Sequence, residues 1–89
     1  MNLADMLGWV GSVEILIAFG LNSFQKMKSD SLLFQLLNLS GASFLIVNSI
    51  AHGAYPFTFI NSVWVVISLF ALVKRGIRKG KSSEFHFFQ

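Results

Sequence analysis

The sequence contains no cysteine, which excludes disulfide bonds and thiolate metal sites. Charged residues are also scarce, at 12% of the 89 residues, whereas 54% of the residues are hydrophobic. A soluble domain of this length buries only about 60% of the surface of its unfolded chain, too little to hide so many apolar side chains. The composition, with a mean hydropathy of +0.64, therefore indicates a protein that lies in a lipid bilayer.

Two short segments contain all seven basic residues: Lys26, Lys28, Lys74, Arg75, Arg78, Lys79 and Lys81. Between Asp30 and Lys74 the sequence has no Asp, Glu, Lys or Arg, and this stretch is long enough for two helical crossings of about 20 residues each. An earlier apolar run, 7–25, contains a single charge, at Glu14. Because the cations flank apolar runs, the net charge of +3 does not indicate a nucleic-acid partner.

These runs predict an all-α membrane protein. The three predicted transmembrane helices cover about 6–25, 31–52 and 57–73. Helices satisfy every backbone polar group within one segment, and the alternating pattern of barrel strands is not visible. Pro56 suits the start of the third helix, where its missing N–H costs nothing. We therefore divide the chain into a three-helix transmembrane domain at 1–75 and a basic, aromatic tail at 76–89.

The positive-inside rule predicts the orientation of these helices. With three crossings the first turn and the tail lie on the same side, and both are basic, whereas the second turn has no cation. We therefore expect a multi-pass protein of the bacterial inner membrane, with its N-terminus outside and its C-terminus in the cytoplasm. The tail is either a loose segment on anionic headgroups or an interfacial anchor formed by Phe85, Phe87 and Phe88.

Small and polar residues recur at helical spacing on each predicted helix. They are Gly8, Gly11, Ser12, Ala18, Asn22 and Gln25, then Gln35, Asn38, Gly41, Ala42, Ser49 and His52, then Asn61, Trp64 and Ser68. Two interpretations remain open. Small residues let helix backbones approach closely while amides hydrogen-bond between helices. Alternatively, the same amides line a polar path through the membrane.

Glu14 is the one acidic residue within the predicted helices. It lies about 12 Å below the start of the first helix, at a rise of 1.5 Å per residue. An ionised carboxylate at that depth costs several kcal/mol unless it is paired or hydrated. We expect Asn48 and His52 at the same level on the antiparallel second helix, so the three residues form a candidate proton or cation site. The alternative is a neutral, hydrogen-bonded glutamic acid that stabilises packing.

The sequence gives no sign of catalysis. It has no phosphate-binding glycine loop, no cluster of metal ligands and no pairing of a nucleophile with a base. We therefore expect no enzyme activity, no metal and no cofactor.

A set of short motifs resembles those of a family of small bacterial inner-membrane proteins. The motifs are Gly8-Trp9-x-Gly11, Ala18-Phe19-Gly20-Leu21-Asn22-Ser23, Gln35-x-Leu37-Asn38-Leu39-x-Gly41-Ala42, Asn48-Ser49, Tyr55-Pro56, Asn61 and Trp64. From about 5 to 73 the chain is similar to these three-helix proteins, which are called CBU-like or loosely "permease" and have no established activity. More distantly, its layout resembles the SemiSWEET half-transporters of the PQ-loop superfamily.

The SemiSWEET resemblance implies a triple-helix bundle that dimerises around a solute path, with Asn61 contacting the substrate. Gly20-Leu21 stands in place of that superfamily's Pro-Gln pair, so we do not assign a sugar. We predict a homodimeric half-transporter for a small polar solute, with Glu14 as a proton or cation carrier. Its predicted solute contacts are Asn22, Asn38, Asn61 and Trp64. The alternative is a non-transporting membrane subunit or assembly protein whose polar faces bind larger membrane partners.

Overall fold

The computed structural model describes the backbone of residues 1–86 and the side chains of residues 1–78. Its three α-helices are α1 (Leu3–Ser23), α2 (Leu32–Ala51) and α3 (Tyr55–His86). Over the described backbone there is no β-strand. Each helix has a segment long and apolar enough to cross a membrane. The prediction of an all-α protein with three membrane-spanning helices is therefore confirmed.

Side-chain caps begin α1 and α2. The Asn2 side chain accepts a hydrogen bond from the backbone N–H of Asp5 at 2.8 Å, and Ser31 accepts one from the backbone N–H of Phe34 at 3.2 Å. Such a cap satisfies one unpaired amide of the first helical turn and typically contributes about 1 kcal/mol. The Asn2 cap explains why α1 begins at Leu3, earlier than predicted.

A left-handed residue ends α1. Gln25 has a φ of 60°, which lets the backbone N–H of Lys26 reach the carbonyl of Leu21 at 2.8 Å. The left-handed conformation costs about 1–2 kcal/mol for a residue other than glycine. The Asn22 side chain stabilises this turn by donating a hydrogen bond to the carbonyl of Met27 at 2.9 Å.

The connection between α2 and α3 is only residues 52–54. Gly53 takes a φ of 69°, which suits glycine, and the backbone N–H of Ala54 bonds to the carbonyl of Ser49 at 2.8 Å. Pro56 follows in the first turn of α3, where helices tolerate its missing N–H. The two helices therefore form a tight antiparallel hairpin.

The third helix extends well beyond its predicted end near residue 73 and reaches His86. Lys and Arg are good helix formers, and no proline follows Pro56, so nothing stops the helix where the apolar segment ends. The first part of the predicted tail thus continues α3. Phe87 and Phe88, and the side chain of Phe85, lie outside the described residues, so the aromatic anchor stays a prediction.

The second helix is the middle one. Both α1 and α3 pack on α2, and the described residues form no contact between α1 and α3. Gly41 and Asn48 face α1, whereas Asn38 and Ser49 face α3. At about 100° per residue, these two directions differ by roughly a quarter of a turn. A face of α2 therefore lies between α1 and α3, without close backbone contact across it over the described residues, and we call this face the cleft.

The helix contacts are built from small residues. Ala18 and Ala42 are the fully buried apolar residues among the described side chains. The other buried residues are Gly8, Gly11, Asn38, Gly41, Ser49 and Ser68. Large apolar side chains such as Leu16 and Phe70 are exposed, as expected when lipid covers them. The small residues of the predicted faces therefore lie at the helix contacts, whereas Gln25, His52 and Trp64 of the same faces are exposed.

The closest approach of α1 and α2 occurs at two glycines. A Cβ atom on Gly11 would lie 2.6 Å from the carbonyl oxygen of Gly41, and one on Gly41 would lie 2.8 Å from Cγ1 of Ile15. Real side chains do not occupy such positions, so the two backbones touch only because both residues are glycine. This contact sets the register of the helix pair.

Candidate functional site

A hollow of about 340 Å³ opens between α1 and α2 near the start of α1. Its lining residues are Met1, Asp5, Gly8, Trp9, Ser12, Leu45 and Asn48. On α2, Leu45 points between the direction of α1 and the direction of α3, so the hollow is part of the cleft. Apolar walls with a carboxylate, a hydroxyl and an amide are typical of a site for a small polar molecule.

Asn38 and Trp64 join α2 to α3 midway along the helices. The indole N–H of Trp64 donates to Oδ1 of Asn38 at 3.0 Å, and Nδ2 of Asn38 donates to the carbonyl of Phe34 at 2.8 Å. Asn38 is only 4% exposed, whereas Trp64 is 43% exposed. The structure thus brings together two of the predicted path residues. Their polar groups hold the helices together, and one face of the indole ring remains accessible.

The other two predicted path residues lie elsewhere. Asn22 stabilises the turn after α1, where it bonds to the carbonyl of Met27. Asn61 lies one turn before Trp64 and donates to the carbonyl of Phe57 in its own helix at 2.8 Å. Among the described hydrogen bonds, none joins either residue to Asn38. The four predicted solute contacts therefore do not form a single site, although Asn61 and Trp64 are neighbours on α3.

Glu14 pairs with a serine of α2. Its Oε2 atom lies 2.5 Å from Oγ of Ser40, which is also 2.8 Å from the carbonyl oxygen of Leu36. A hydroxyl has one proton to donate. Ser40 is the donor to Glu14, so its one proton serves both the carboxyl group and the carbonyl of Leu36. The other carboxyl oxygen, Oε1, is buried without a hydrogen-bond partner among the described residues.

The described hydrogen bonds do not join Glu14, Asn48 and His52, and their role as a proton or cation site stays a prediction. Asn48 lies beside Gly8 and donates from Nδ2 to the carbonyl of Ala4 at 2.8 Å. Gly8 is six residues from Glu14, or about 9 Å along α1. The contact between the two glycines fixes a register in which Glu14 lies nearer the middle of α2 than expected.

His52 binds a residue that sequence reasoning had not paired with it. Its Nε2 atom lies 2.7 Å from Oδ1 of Asp5, and both side chains are partly exposed. An ion pair in such a setting contributes about 0–1 kcal/mol. The signal available in the sequence was the presence of an acid and a histidine at the two helix ends that meet in an antiparallel pair. No comparable feature of the sequence pointed to Ser40 as the partner of Glu14.

Among the side chains described, no three His, Asp or Glu residues come close enough to hold a metal ion. The candidate site therefore consists of the cleft, with the hollow near the start of α1 and the Trp64 ring deeper along α3.

A family model matches residues 4–79, which is most of the chain, and the family is uncharacterised. No curated protein matches the chain, and no solved structure matches it. The match fits the predicted resemblance to an uncharacterised family, whereas the likeness to SemiSWEET half-transporters stays a prediction.

Proposed function

We propose that this chain, which belongs to the uncharacterised family whose model matches residues 4–79, is one half of a homodimeric transporter for a small polar solute. The cleft is the observation that carries the proposal. Because α1 and α3 pack on α2 without close backbone contact with each other over the described residues, the cleft of one copy has no helix over it. A second copy in the same orientation would close it, and parallel repeats around a shared site are a known transporter design.

The chemistry of the cleft supports this proposal. Ser12 and Asn48 offer a hydroxyl and an amide at the hollow, and Trp64 offers a partly exposed ring at mid-depth, with Asn61 one turn away. Aromatic walls with a few polar groups are typical of small-molecule sites. We therefore keep Asn61 and Trp64 as solute contacts, and Asn38 as the residue that orients the Trp64 indole.

The geometry changes the role that we propose for Glu14. Ser12 and Glu14 are two residues apart and therefore point to nearly opposite sides of α1. Ser12 lines the hollow, so Glu14 lies on the far side of the contact between α1 and α2. We propose that its carboxyl group stabilises that contact through Ser40 and does not carry protons along the cleft.

A non-transporting subunit or assembly protein is the second candidate. One observation favours it: the amides of Asn38 and Asn48 and the carboxyl group of Glu14 all bond within one copy. Extensive exposed apolar surface on all three helices would then bind a larger membrane partner.

Cysteine labelling tests whether the cleft is a path. The chain has no natural cysteine, so one introduced thiol reports on one position. We expect a water-soluble thiosulfonate reagent to modify Ser12→Cys in lipid vesicles much faster than Val47→Cys, which is exposed on the side of α2 away from the hollow. Equal, slow modification of both variants would contradict a hydrated cleft.

Uptake measurements separate the two candidates. We expect Trp64→Phe, which keeps a ring but loses the N–H donor, to reduce uptake from a mixture of labelled polar metabolites into vesicles. The control Phe59→Leu changes an exposed aromatic side chain of α3 that does not line the hollow, and it should leave uptake nearly unchanged. A monomer in lipid with no uptake would overturn the transporter proposal. Loss of a co-purifying membrane protein in Trp64→Phe would favour the assembly role.

A further inference from the structure

A basic hollow lies at the opposite end of the molecule from the hollow between α1 and α2. Its volume is about 260 Å³, and it opens between α3 and the turn that follows α1. Its lining residues are Ser29, Asp30, Gln35, Ala71, Lys74, Arg75 and Arg78. Lys74 is the first charged residue after the long apolar stretch of the chain. The hollow therefore lies at the level where lipid headgroups begin.

Asp30 orients both arginines. Nε of Arg75 donates to the backbone carbonyl of Asp30 at 3.1 Å, and Nη2 of Arg78 lies 3.1 Å from the Asp30 carboxylate. A guanidinium has five N–H donors, so each arginine keeps several for another acceptor. The planar arrangement of these donors matches a phosphate group. Gln35 closes the other wall by donating to the carbonyl of Ser29 at 2.7 Å.

The charges of the lining favour an anion. Lys74, Arg75 and Arg78 supply three positive charges against the single negative charge of Asp30, which leaves an excess of two (3 − 1 = 2). The described side chains show no ion pair for Lys74. Basic pockets beside transmembrane helices on the cytoplasmic face are suited to anionic headgroups.

We propose that this hollow binds the phosphate group of an anionic phospholipid. A free phosphate ion has the same chemistry, but the surroundings favour a lipid. Ala71 lines the hollow, and the apolar side chains of Phe70 and Val73 are exposed nearby on α3, where acyl chains can cover them. The site holds the phosphate between Lys74 and the two arginines, and the acyl chains lie along α3.

Native mass spectrometry of the full chain in detergent tests the site. We add phosphatidylglycerol or phosphatidylcholine with the same acyl chains and count the lipid molecules retained. We expect one phosphatidylglycerol to be retained several times more strongly than phosphatidylcholine. Arg75→Gln should weaken its retention about fivefold, the effect of one cation near a charged membrane surface.

Two variants provide the controls. Lys26→Gln also removes one positive charge, but from a part of the turn after α1 that does not line the hollow. Retention of phosphatidylglycerol should then stay within about twofold of wild type, because distant exposed charges are screened. Arg75→Lys keeps the charge but loses the planar donors. If the hollow recognises phosphate through those donors, this variant should lose most of the phosphatidylglycerol retention that Arg75 provides. Helical circular dichroism and the melting temperature show that each variant is folded.

Three results would overturn the proposal. If Arg75→Gln and Lys26→Gln weakened phosphatidylglycerol retention equally, the lipid would be held by a general attraction to the basic surface and not by the hollow. Equal retention of the two lipids would mean that the phosphate charge is not recognised. Displacement of phosphatidylglycerol by an equal concentration of inorganic phosphate would assign the hollow to a soluble anion. None of these results bears on uptake through the cleft, so this site and the proposed transport function fail independently.

Discussion

At the scale of single residues, the contact between Glu14 and Ser40 determines how a carboxyl group is tolerated at this depth. Ser40 donates a hydrogen bond from α2 to the carboxyl group, so Glu14 joins the two helices as a polar packing residue. Its Oε1 atom is buried without a partner among the described residues, and a full charge there would need water or a cation.

This interpretation predicts different effects for two substitutions. Ser40→Ala removes the hydrogen-bond partner of Glu14 and should lower the free energy of unfolding by about 0.6 kcal/mol, and by no more than about 1.7 kcal/mol. Glu14→Gln keeps the size and an acceptor for Ser40, so it should change stability little. Both are measured by titrating the protein in mixed micelles with a denaturing detergent.

Ser43→Ala is the matched control, since that hydroxyl bonds only to the carbonyl of Leu39 in its own helix. It should leave the free energy of unfolding nearly unchanged. If Glu14→Gln were much more destabilising than Ser40→Ala, the carboxyl group would do more than bond to Ser40 and the interpretation would fail.

At the scale of helices, the contact of Gly11 with Gly41 holds α1 against α2. Gly11→Ala places a methyl group 2.6 Å from a backbone oxygen, so the helices must separate. We expect a loss of about 1–3 kcal/mol in the free energy of unfolding, as for other overpacked contacts. Thermal unfolding in lipid nanodiscs, followed by circular dichroism, measures it.

Gly20→Ala is the control for helix propensity. Nothing lies within 4 Å of a Cβ atom there, so alanine replaces glycine in α1 without a clash. The substitution should be neutral or stabilise by up to about 1 kcal/mol. Similar destabilisation by both substitutions would show that the contact with Gly41 is not what matters.

The same contact explains what the sequence could predict and what it could not. The helices and their small, polar faces follow from apolar runs and from spacing along one helix, and the structure has both. Side-chain partners across helices depend on register, which arises where Gly11 meets Gly41 and is not encoded in either helix alone. Asn48 and His52 were therefore paired with Glu14 instead of with Ala4 and Asp5. The end of α3 was also predicted too early. The apolar residues stop near residue 73, whereas the basic residues that follow still favour a helix.

At the scale of the whole molecule, the three helices place the two ends of the transmembrane domain on opposite faces of the membrane. The turn after α1 and the basic end of α3 lie together, joined through Asp30 to Arg75 and Arg78. Their combined positive charge favours retention on the cytoplasmic side.

Labelling of intact cells tests this orientation. A membrane-impermeant maleimide should label Tyr55→Cys, at the start of α3, without permeabilisation. Ser29→Cys, in the turn after α1, should react only after the membrane is opened. Both substitutions leave every basic residue in place, so neither alters the charge bias. The reverse pattern would mean an inverted protein, and labelling of both positions in intact cells would mean mixed insertion.

The connection between α2 and α3 also limits where the polypeptide can be altered. Residues 52–54 form a tight turn, with a left-handed Gly53 and a backbone hydrogen bond from Ala54 to Ser49. This turn has no extra residues to accommodate an insertion. An inserted epitope or fluorescent protein would pull these two helices apart. The segment 24–31 is longer, and the left-handed Gln25 and the hydrogen bond from Asn22 to Met27 order only its first part. A reporter domain inserted between two helices is therefore better tolerated after Met27 in this segment than within residues 52–54.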